Sequence, residues 1–579
     1  MASILNAHNG LRQRWYSRVI EERLLVATLV ILGLPIFLLG LSTPTLYDPH
    51  ESLYAEIARE MLVRGDWLTP HLNDARYLDK PPLLYWLIGF SYKALGVSEF
   101  SARFPVALAG LGGVLATWGI GRRLGNGRFG FVAGLVLTAS IGYFVFSRQL
   151  LPDMVLSCFT TLSFYCVLRS FAPARSQRLW ALLFYVSLAL AVLTKGLLGL
   201  FPLVVVVFYL VLIGELRLLR AMRPLWGGGL FIMLTAPWHL IIAWQNEGYF
   251  WHYVMNEHVL RFLGQRDPVD YISLPLPVFV LVLFLWLLPW SPYLVLTLPT
   301  GLLPYKKELT PEEQGALFLW LWAGALLVFF AASQARLPQY TLPAMPALAL
   351  LIGKSLDDRL RGYVTSTRGL APTTAVSLLM PAFAFLLIPA YIDRYHHVGL
   401  TDQTAVLIRL IFGLMMGGSG LALLGFCRRR WLVGLLTLAL GMMAAFPVVH
   451  HVLVLLEPWR SSDALVALIR ADHGLGQPIV LEVEKDQPFE YETIAGLVFY
   501  ARQPVDLLRR KSPPKPSLPL KPGERFLLSE AEFRQRWSSG ARVYLVTDSF
   551  LDGDGIVDHG APFSVVGHVG NRWVLSNRP

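Results

Sequence analysis

The chain has 579 residues, 55% of them hydrophobic and only 15% charged, against about 25% charged in an ordinary soluble domain. So little charge over such a length excludes a wholly water-solvated protein, because charge is far cheaper in water than in hydrocarbon. The net charge of +11 would suit a nucleic-acid binder, but the basic residues are distributed as a membrane topology requires, which argues against that partner.

A membrane-crossing helix needs about 20 mostly apolar residues. Thirteen runs of that kind are predicted, at about 24–42, 102–120, 129–147, 151–171, 180–196, 198–214, 225–244, 275–297, 315–333, 339–355, 373–391, 407–426 and 431–452. With residues 1–23 in the cytoplasm, alternate connections carry the clusters Arg122, Arg123, Arg128; Arg217, Arg220, Arg223; and Arg428, Arg429, Arg430. The connections on the other side hold few basic residues, which is the positive-inside bias. The first apolar run has no small-residue cleavage site before it and is expected to stay as an anchor. The sequence therefore predicts an α-helical polytopic membrane protein, with 24–452 as its membrane domain and the C-terminus outside.

Two segments fall outside the spans. The first outside loop, about 43–101, carries two predicted short helices, 51–63 and 82–95, the second lying in the membrane interface. The tail, 453–579, alternates β-like runs ("PIVLEV", "RVYLVTD", "FSVVGHV") with helical stretches such as "SDALVALIRADH". It reads as a small α/β domain with a Pro-rich loop at 511–523. The three cysteines, Cys158, Cys166 and Cys427, lie in or beside apolar runs and form no CxxC, so neither a disulfide framework nor a zinc knuckle is indicated.

The polar residues of the outside ends carry the candidate chemistry. "LYDPHESLYAEIAREML" places Asp48, Glu51, Glu56, Arg59 and Glu60 just past the first apolar run. Acids at a membrane boundary are costly without a task. Asp153 in "LPDMVL" begins a later span, where helix capping is the plain alternative. Lys80 in "LDKPPLLYW" can neutralise a phosphate as a point charge, or snorkel to lipid headgroups. Lys195 in "LTKG" interrupts an apolar run at a turn. Arg261 and Arg266 suit bidentate recognition of a phosphate or carboxylate, and Arg336 with Tyr340 suits anion binding or sugar contact. His258 beside Glu257 is a weak metal site, since helix neighbours point apart. No P-loop, GxGxxG fingerprint or GxSxG elbow is present, so nucleotide-driven chemistry is not indicated. A substrate for an outside enzyme must bring its own activation, as a lipid-linked phosphosugar does.

The pieces "ESLYAEIAREMLVRGDWLTP", "YLDKPPLLYWL", "LPDMVL", "LTKG", "PWHLII", "NEHVLRFLG" and "RLPQYTLPAMPAL" resemble, in order, the bacterial membrane glycosyltransferases of the GT-C class in the protein O-mannosyltransferase superfamily. The resemblance covers roughly residues 24 to 350 and is greatest to the branch that contains lipid A aminoarabinose transferase. It implies a GT-C-like fold and an outward cavity for a polyprenyl-phosphate sugar donor, with lipid A, another lipid or a protein hydroxyl as acceptor. It implies inverting single displacement at the periplasmic face of the bacterial inner membrane. It assigns the working acid to Asp48 or Glu51, a second acid to Asp153, and donor or substrate contacts to Arg59, Lys80, Lys195, Arg261, Tyr340 and Tyr54. A divalent metal, if used, would fall to Asp79 and His258; no nucleotide cofactor is implied. Where the family often has Asp-Glu, this chain has His50-Glu51. A lipid transporter or flippase would also explain the spans, but transporter sites lie near the bilayer midplane and these charges gather at the outer ends.

Overall fold

The computed structural model describes residues 2–173, 175–269, 271–298, 309–362, 369–395, 401–483, 491–509, 521, 528–548 and 562–579. Helix α1 (Ala2–Leu38) leads into the first loop, where α2 (His50–Arg64) and α3 (Leu83–Leu95) form as predicted. Gly65, at φ 71°, ends α2 in the left-handed region that favours glycine. A two-stranded hairpin, β1 (His71–Leu72) with β2 (Ala75–Arg76), joins the two helices. On α3, Leu84, Tyr85 and Ile88 are buried while Phe90 and Leu95 are exposed.

The bundle continues through α4 (Glu99–Leu124), α5 (Gly127–Thr138), α6 (Ile141–Phe146), α7 (Pro152–Ser170), α8 (Gln177–Lys195) and α9 (Phe201–Leu212). Seven helices among the described residues are long and apolar enough to cross a membrane, or eight if one bent pair is a single span. The thirteen predicted spans are not reproduced by that measure, and several of them are broken. The run at 129–147 splits into α5 and α6. The run at 275–297 becomes Leu276–Trp286 and Ser291–Thr297, bent by 93°. The predicted pair 180–196 and 198–214 forms one apolar stretch of 36 residues, Gln177–Leu212, interrupted by a 3₁₀ segment at Gly196–Leu200. Toward the C-terminus, Asp402–Cys427 and Trp431–Leu455 pack closely. A Cβ on Gly418 would stand 2.8 Å from the Cα of Gly441, the small-residue approach that membrane helix pairs use.

The tail is an α/β domain with a five-stranded sheet. Strands β3 (Ile479–Val483), β4 (Val505–Arg509), β5 (Tyr544–Thr547), β6 (Ser564–Val569) and β7 (Arg572–Ser576) lie in the order β4-β3-β5-β7-β6. The β3 strand pairs in parallel with β4 and β5, whereas β7 is antiparallel to both its neighbours. The three strands read from sequence are β3, β5 and β6. The Pro-rich loop at 511–523 lies, apart from residue 521, outside the described residues.

This sheet domain is docked on the first loop. Asn73 exchanges two hydrogen bonds with the Val505 backbone, at 2.8 and 3.0 Å. The Tyr491 hydroxyl donates to Leu72 O at 2.5 Å, and the Leu46 amide donates to the Tyr500 hydroxyl at 2.7 Å. Asp48 accepts from Ser462 Oγ at 2.6 Å and faces Arg572 at 3.5 Å. Gly496 packs against this carboxylate so tightly that a Cβ there would stand 1.9 Å from Asp48 Oδ1.

Gly496→Ala is therefore expected to cost about 1–3 kcal/mol by overpacking and to loosen the docking. Limited proteolysis should cleave the tail of the variant several-fold faster than that of the wild type. Equal cleavage rates would show that the contact does not hold the domain.

Candidate active site

A cavity of about 450 Å³ opens between the first loop, the start of α7, the end of α8 and the segment Pro338–Ala344. Pro152 starts α7 and puts Asp153 in its first turn, so the capping position and the cavity position are the same. Lys195 is the last residue of α8, at the turn read from sequence. Its Nζ lies 2.5 Å from Asp153 Oδ1 and 4.4 Å from the centre of the Tyr340 ring. Lys80 and Arg261 line the same cavity, as do Tyr54 and Glu51. Six residues singled out in sequence from four distant segments thus meet with Tyr340 around one space.

Behind that space a buried carboxylate organises the cations. Glu257 accepts from Lys80 Nζ at 2.6 Å, lies 3.5 Å from Arg261 and pairs with Arg266 Nε. Burial alone would push its pKa up, but Lys80, Arg266 and Arg261 hold it well below the usual carboxylate range. Glu257 sits in a π-helical turn, His252–Leu260, a backbone form found frequently at functional sites. Sequence reading placed Glu257 only as a neighbour of His258. Its signal was its i,i+4 spacing to Arg261.

The two first-loop acids are separated by the fold. Asp48 is not on the cavity; it faces the tail domain through Ser462 and Arg572. Burial raises its pKa, offset in part by Arg572 and Ser462. The expectation that Asp48 serves as the working acid is corrected in its placement: its carboxylate lies off the cavity, with Oδ2 held by Ser462 and Arg572. Glu51 does reach the cavity, but Arg103 holds both its oxygens, at 2.8 and 2.6 Å. The amides of Leu150 and Tyr47 donate to it as well. Burial opposes its charge, yet Arg103 and those amides keep its pKa low. Such a group positions the loop, and it is a poor proton acceptor. His50 begins α2 and lines the cavity beside it.

Arg59 is also corrected: it pairs with Glu56 at 2.6 Å and is not on the cavity lining. Arg266, 2% exposed, is committed to Asp79 and Glu257. Arg336 donates to the carbonyls of Leu274 and Ser333. Two residues missed in sequence are Arg103, which reads as an ordinary helix residue, and Glu492, which the tail domain contributes to the cavity within 3.3 Å of the Tyr77 hydroxyl.

The metal expectation changes partner. Asp79 meets His252 at 2.9 Å, whereas both ring nitrogens of His258 are engaged, by the Tyr253 carbonyl and the Leu197 amide. Asp79, His252 and Glu257 offer ligand atoms within 4.8 Å of one another. The Arg266 guanidinium, however, already bridges the two carboxylates, at 2.8 Å from Asp79. The donor set has its cation, and a divalent ion would have to displace a buried arginine. The residues present do not fit a metal.

The family model described as dolichyl-phosphate-mannose-protein mannosyltransferase matches residues 24–254. The undecaprenyl phosphate-alpha-4-amino-4-deoxy-L-arabinose arabinosyl transferase of Aeromonas salmonicida is 31% identical over 429 residues, 71% of this chain and 75% of that protein. The protein named as transferase 2 of the same kind in Pseudomonas fluorescens is 29% identical over 501 residues, 82% of this chain and 87% of that one. Among solved structures, ArnT from Cupriavidus metallidurans bound to undecaprenyl phosphate superposes with a TM-score of 0.78 at 25% identity, covering 95% of this chain and 98% of that chain.

Glu51→Ala leaves Arg103 buried without its counter-charge and is expected to destabilise the protein by about 3–5 kcal/mol. Folding lowers the pKa of Glu51, so its contribution is complete above the ordinary value of 4.5 and fades as pH falls below it. Thermal unfolding in detergent checks both. A variant as stable as the wild type at neutral pH would return Glu51 to the list of free acids.

Proposed function

The chain belongs to the family of undecaprenyl phosphate-α-4-amino-4-deoxy-L-arabinose arabinosyl transferases, and we propose that it moves aminoarabinose from undecaprenyl phosphate to lipid A at the periplasmic face of the inner membrane. It is a multi-pass membrane glycosyltransferase. The orientation proposed has the N-terminus in the cytoplasm and the tail domain in the periplasm. The observation that carries the reading is the meeting of Lys80, Lys195 and Arg261 with Asp153 on one cavity.

The reaction is a single displacement with inversion. An oxygen of the acceptor phosphate attacks the anomeric carbon; the bond from that carbon to the donor phosphate oxygen breaks, and undecaprenyl phosphate leaves with the electron pair. Lys195, Arg261 and Lys80 meet the charge that develops on the leaving phosphate, the electrostatic contribution that commonly dominates such catalysis. Before substrate binds, each of these cations is held by an acid: Lys195 by Asp153, and Lys80 and Arg261 by Glu257. An incoming phosphate draws Lys195 toward itself and leaves the Asp153 carboxylate facing a sugar whose anomeric carbon gains positive charge. An ionised phosphate acceptor has no proton to lose, which agrees with a Glu51 tied to Arg103. Glu492 supplies the opposite charge for the amino group of the sugar. No step is routed through a metal.

Lys195→Ala is expected to lower transfer by about 10²–10³-fold, the usual cost of one such donor; because it also leaves buried Asp153 without its cation, thermal unfolding in detergent checks that the assayed variant is folded. The assay uses purified protein, undecaprenyl-phosphate aminoarabinose and lipid A, with mass spectrometry of the product. Wild-type turnover by the variant would sink the phosphate-site assignment. Because a catalytic metal is worth several kcal/mol, treatment with EDTA should leave the rate within about twofold if none is used. A loss restored by a divalent ion would reverse that reading.

A further inference from the structure

A second, smaller cavity adjoins the first and shares Tyr47, Glu51, Val145 and Gln149 with it. Its volume is about 50 Å³; at roughly 10–15 Å³ for each water, that is the space of one phosphate group. Arg103 lies on its wall but is neutralised by Glu51. Arg148 and Arg460 are different. Arg148 donates to the carbonyls of Ile36, at 3.1 Å, and Phe37, and its other terminal nitrogen stands 3.4 Å from His450 Nδ1. Arg460 lies with its guanidinium 5.2 Å from the centre of the Tyr47 ring. Neither is in an ion pair among the described residues. Burial and the nearby Arg103 hold the pKa of Arg148 down, to about 10. Glu457 is the remaining acid on the lining, so two guanidiniums face one carboxylate and the cavity keeps a positive surplus.

Arg148 is half-buried, and a half-buried guanidinium without a counter-charge is costly; Arg460 is exposed and adds to the positive surplus. The cations around the neighbouring cavity have their acids: Lys80 and Arg266 have Glu257, Arg103 has Glu51, and Lys195 has Asp153. An anion supplied from outside removes the exception. The shared wall determines which anion. A group seated against Arg148 and Arg460 lies next to the sugar-transfer cavity, with only Glu51, Gln149 and their neighbours between.

We propose that this second cavity binds the phosphate group of the acceptor glycolipid and presents one of its oxygens to the donor sugar. The inference rests on the transferase reading above and adds to it the acceptor's anchoring residues, Arg148 and Arg460. These guanidiniums orient the nucleophile and neutralise the charge on its remaining oxygens, while the bond changes are those already given. The same chemistry would also suit the phosphate of an anionic phospholipid from the surrounding membrane.

The test uses the full-length protein in phosphatidylcholine nanodiscs at saturating donor, with Arg460→Gln as the principal variant. Arg460 is exposed and its side chain packs over Tyr47 of the first loop, so the variant is expected to keep the fold, with thermal unfolding as the check. Arg148→Gln serves as the second, with thermal unfolding as a check because Arg148 also ties down the end of α1. Loss of a charge-assisted hydrogen bond should raise the KM for lipid A about tenfold or more. The affinity for undecaprenyl phosphate should stay near wild type. An unchanged acceptor KM overturns the proposal, as does an equal loss of donor affinity. In a parallel arm, phosphatidylglycerol is added to the wild-type nanodiscs. Inhibition competitive with lipid A that disappears in Arg460→Gln, with no change in that variant's acceptor KM in pure phosphatidylcholine, would assign the cavity to a headgroup and overturn it. If the wild type transfers nothing, the transferase reading itself has failed; if only the variants are silent on acceptor KM, this inference alone has.

Discussion

The architecture depends on the cost of burying charge. An unpaired carboxylate inside a protein costs several kcal/mol, and Glu257 is buried with three cations around it. That requirement draws Lys80 of the first loop, Arg261 of the next turn and Arg266 beyond it toward one point. Without Glu257 the cations would repel one another and no phosphate site would be preformed. The same rule acts at Glu51, where Arg103 and two backbone amides fix the loop that enters the cavity.

The pairing also explains how a cationic site can exist before its substrate arrives. Lys195 rests on Asp153 and above the Tyr340 ring, so its charge is matched within the protein and would be available to an entering phosphate. The exchange of one anion for another avoids exposing a bare cation to a low-dielectric wall, where an uncompensated charge is most expensive. Around the neighbouring cavity Arg148 and Arg460 have no such resting partner among the described residues, the asymmetry on which the proposed acceptor site rests.

The tail domain takes part in the site. Asn73, Leu72, Leu46 and Asp48 of the first loop all bond to it, and it returns a carboxylate, Glu492, to the cavity. Asp48, conspicuous in sequence as an acid at a membrane exit, turns out to hold two parts of the protein together. Its backbone amide donates to Arg460 O at 2.7 Å, so the docking contact and the anion cavity share a segment.

Composition and the spacing of apolar runs determined the membrane class, and the ordered motifs marked Lys80, Asp153, Lys195, Arg261, Tyr54 and Tyr340 as one site. Those features are local: an apolar run is legible wherever it occurs, and a lysine that breaks one stands out. Tertiary structure alone decided which acid faces the cavity. Glu51 and Arg103 lie 52 residues apart, Lys80 and Glu257 lie 177 apart, and Asp48 meets Ser462 across 414. Buried ion pairing follows three-dimensional proximity, and at such separations no periodicity in the chain records it. The tail's strands β4 and β7 escaped sequence reading for a related reason, since a short strand is stabilised by its neighbours in the sheet more than by its own residues.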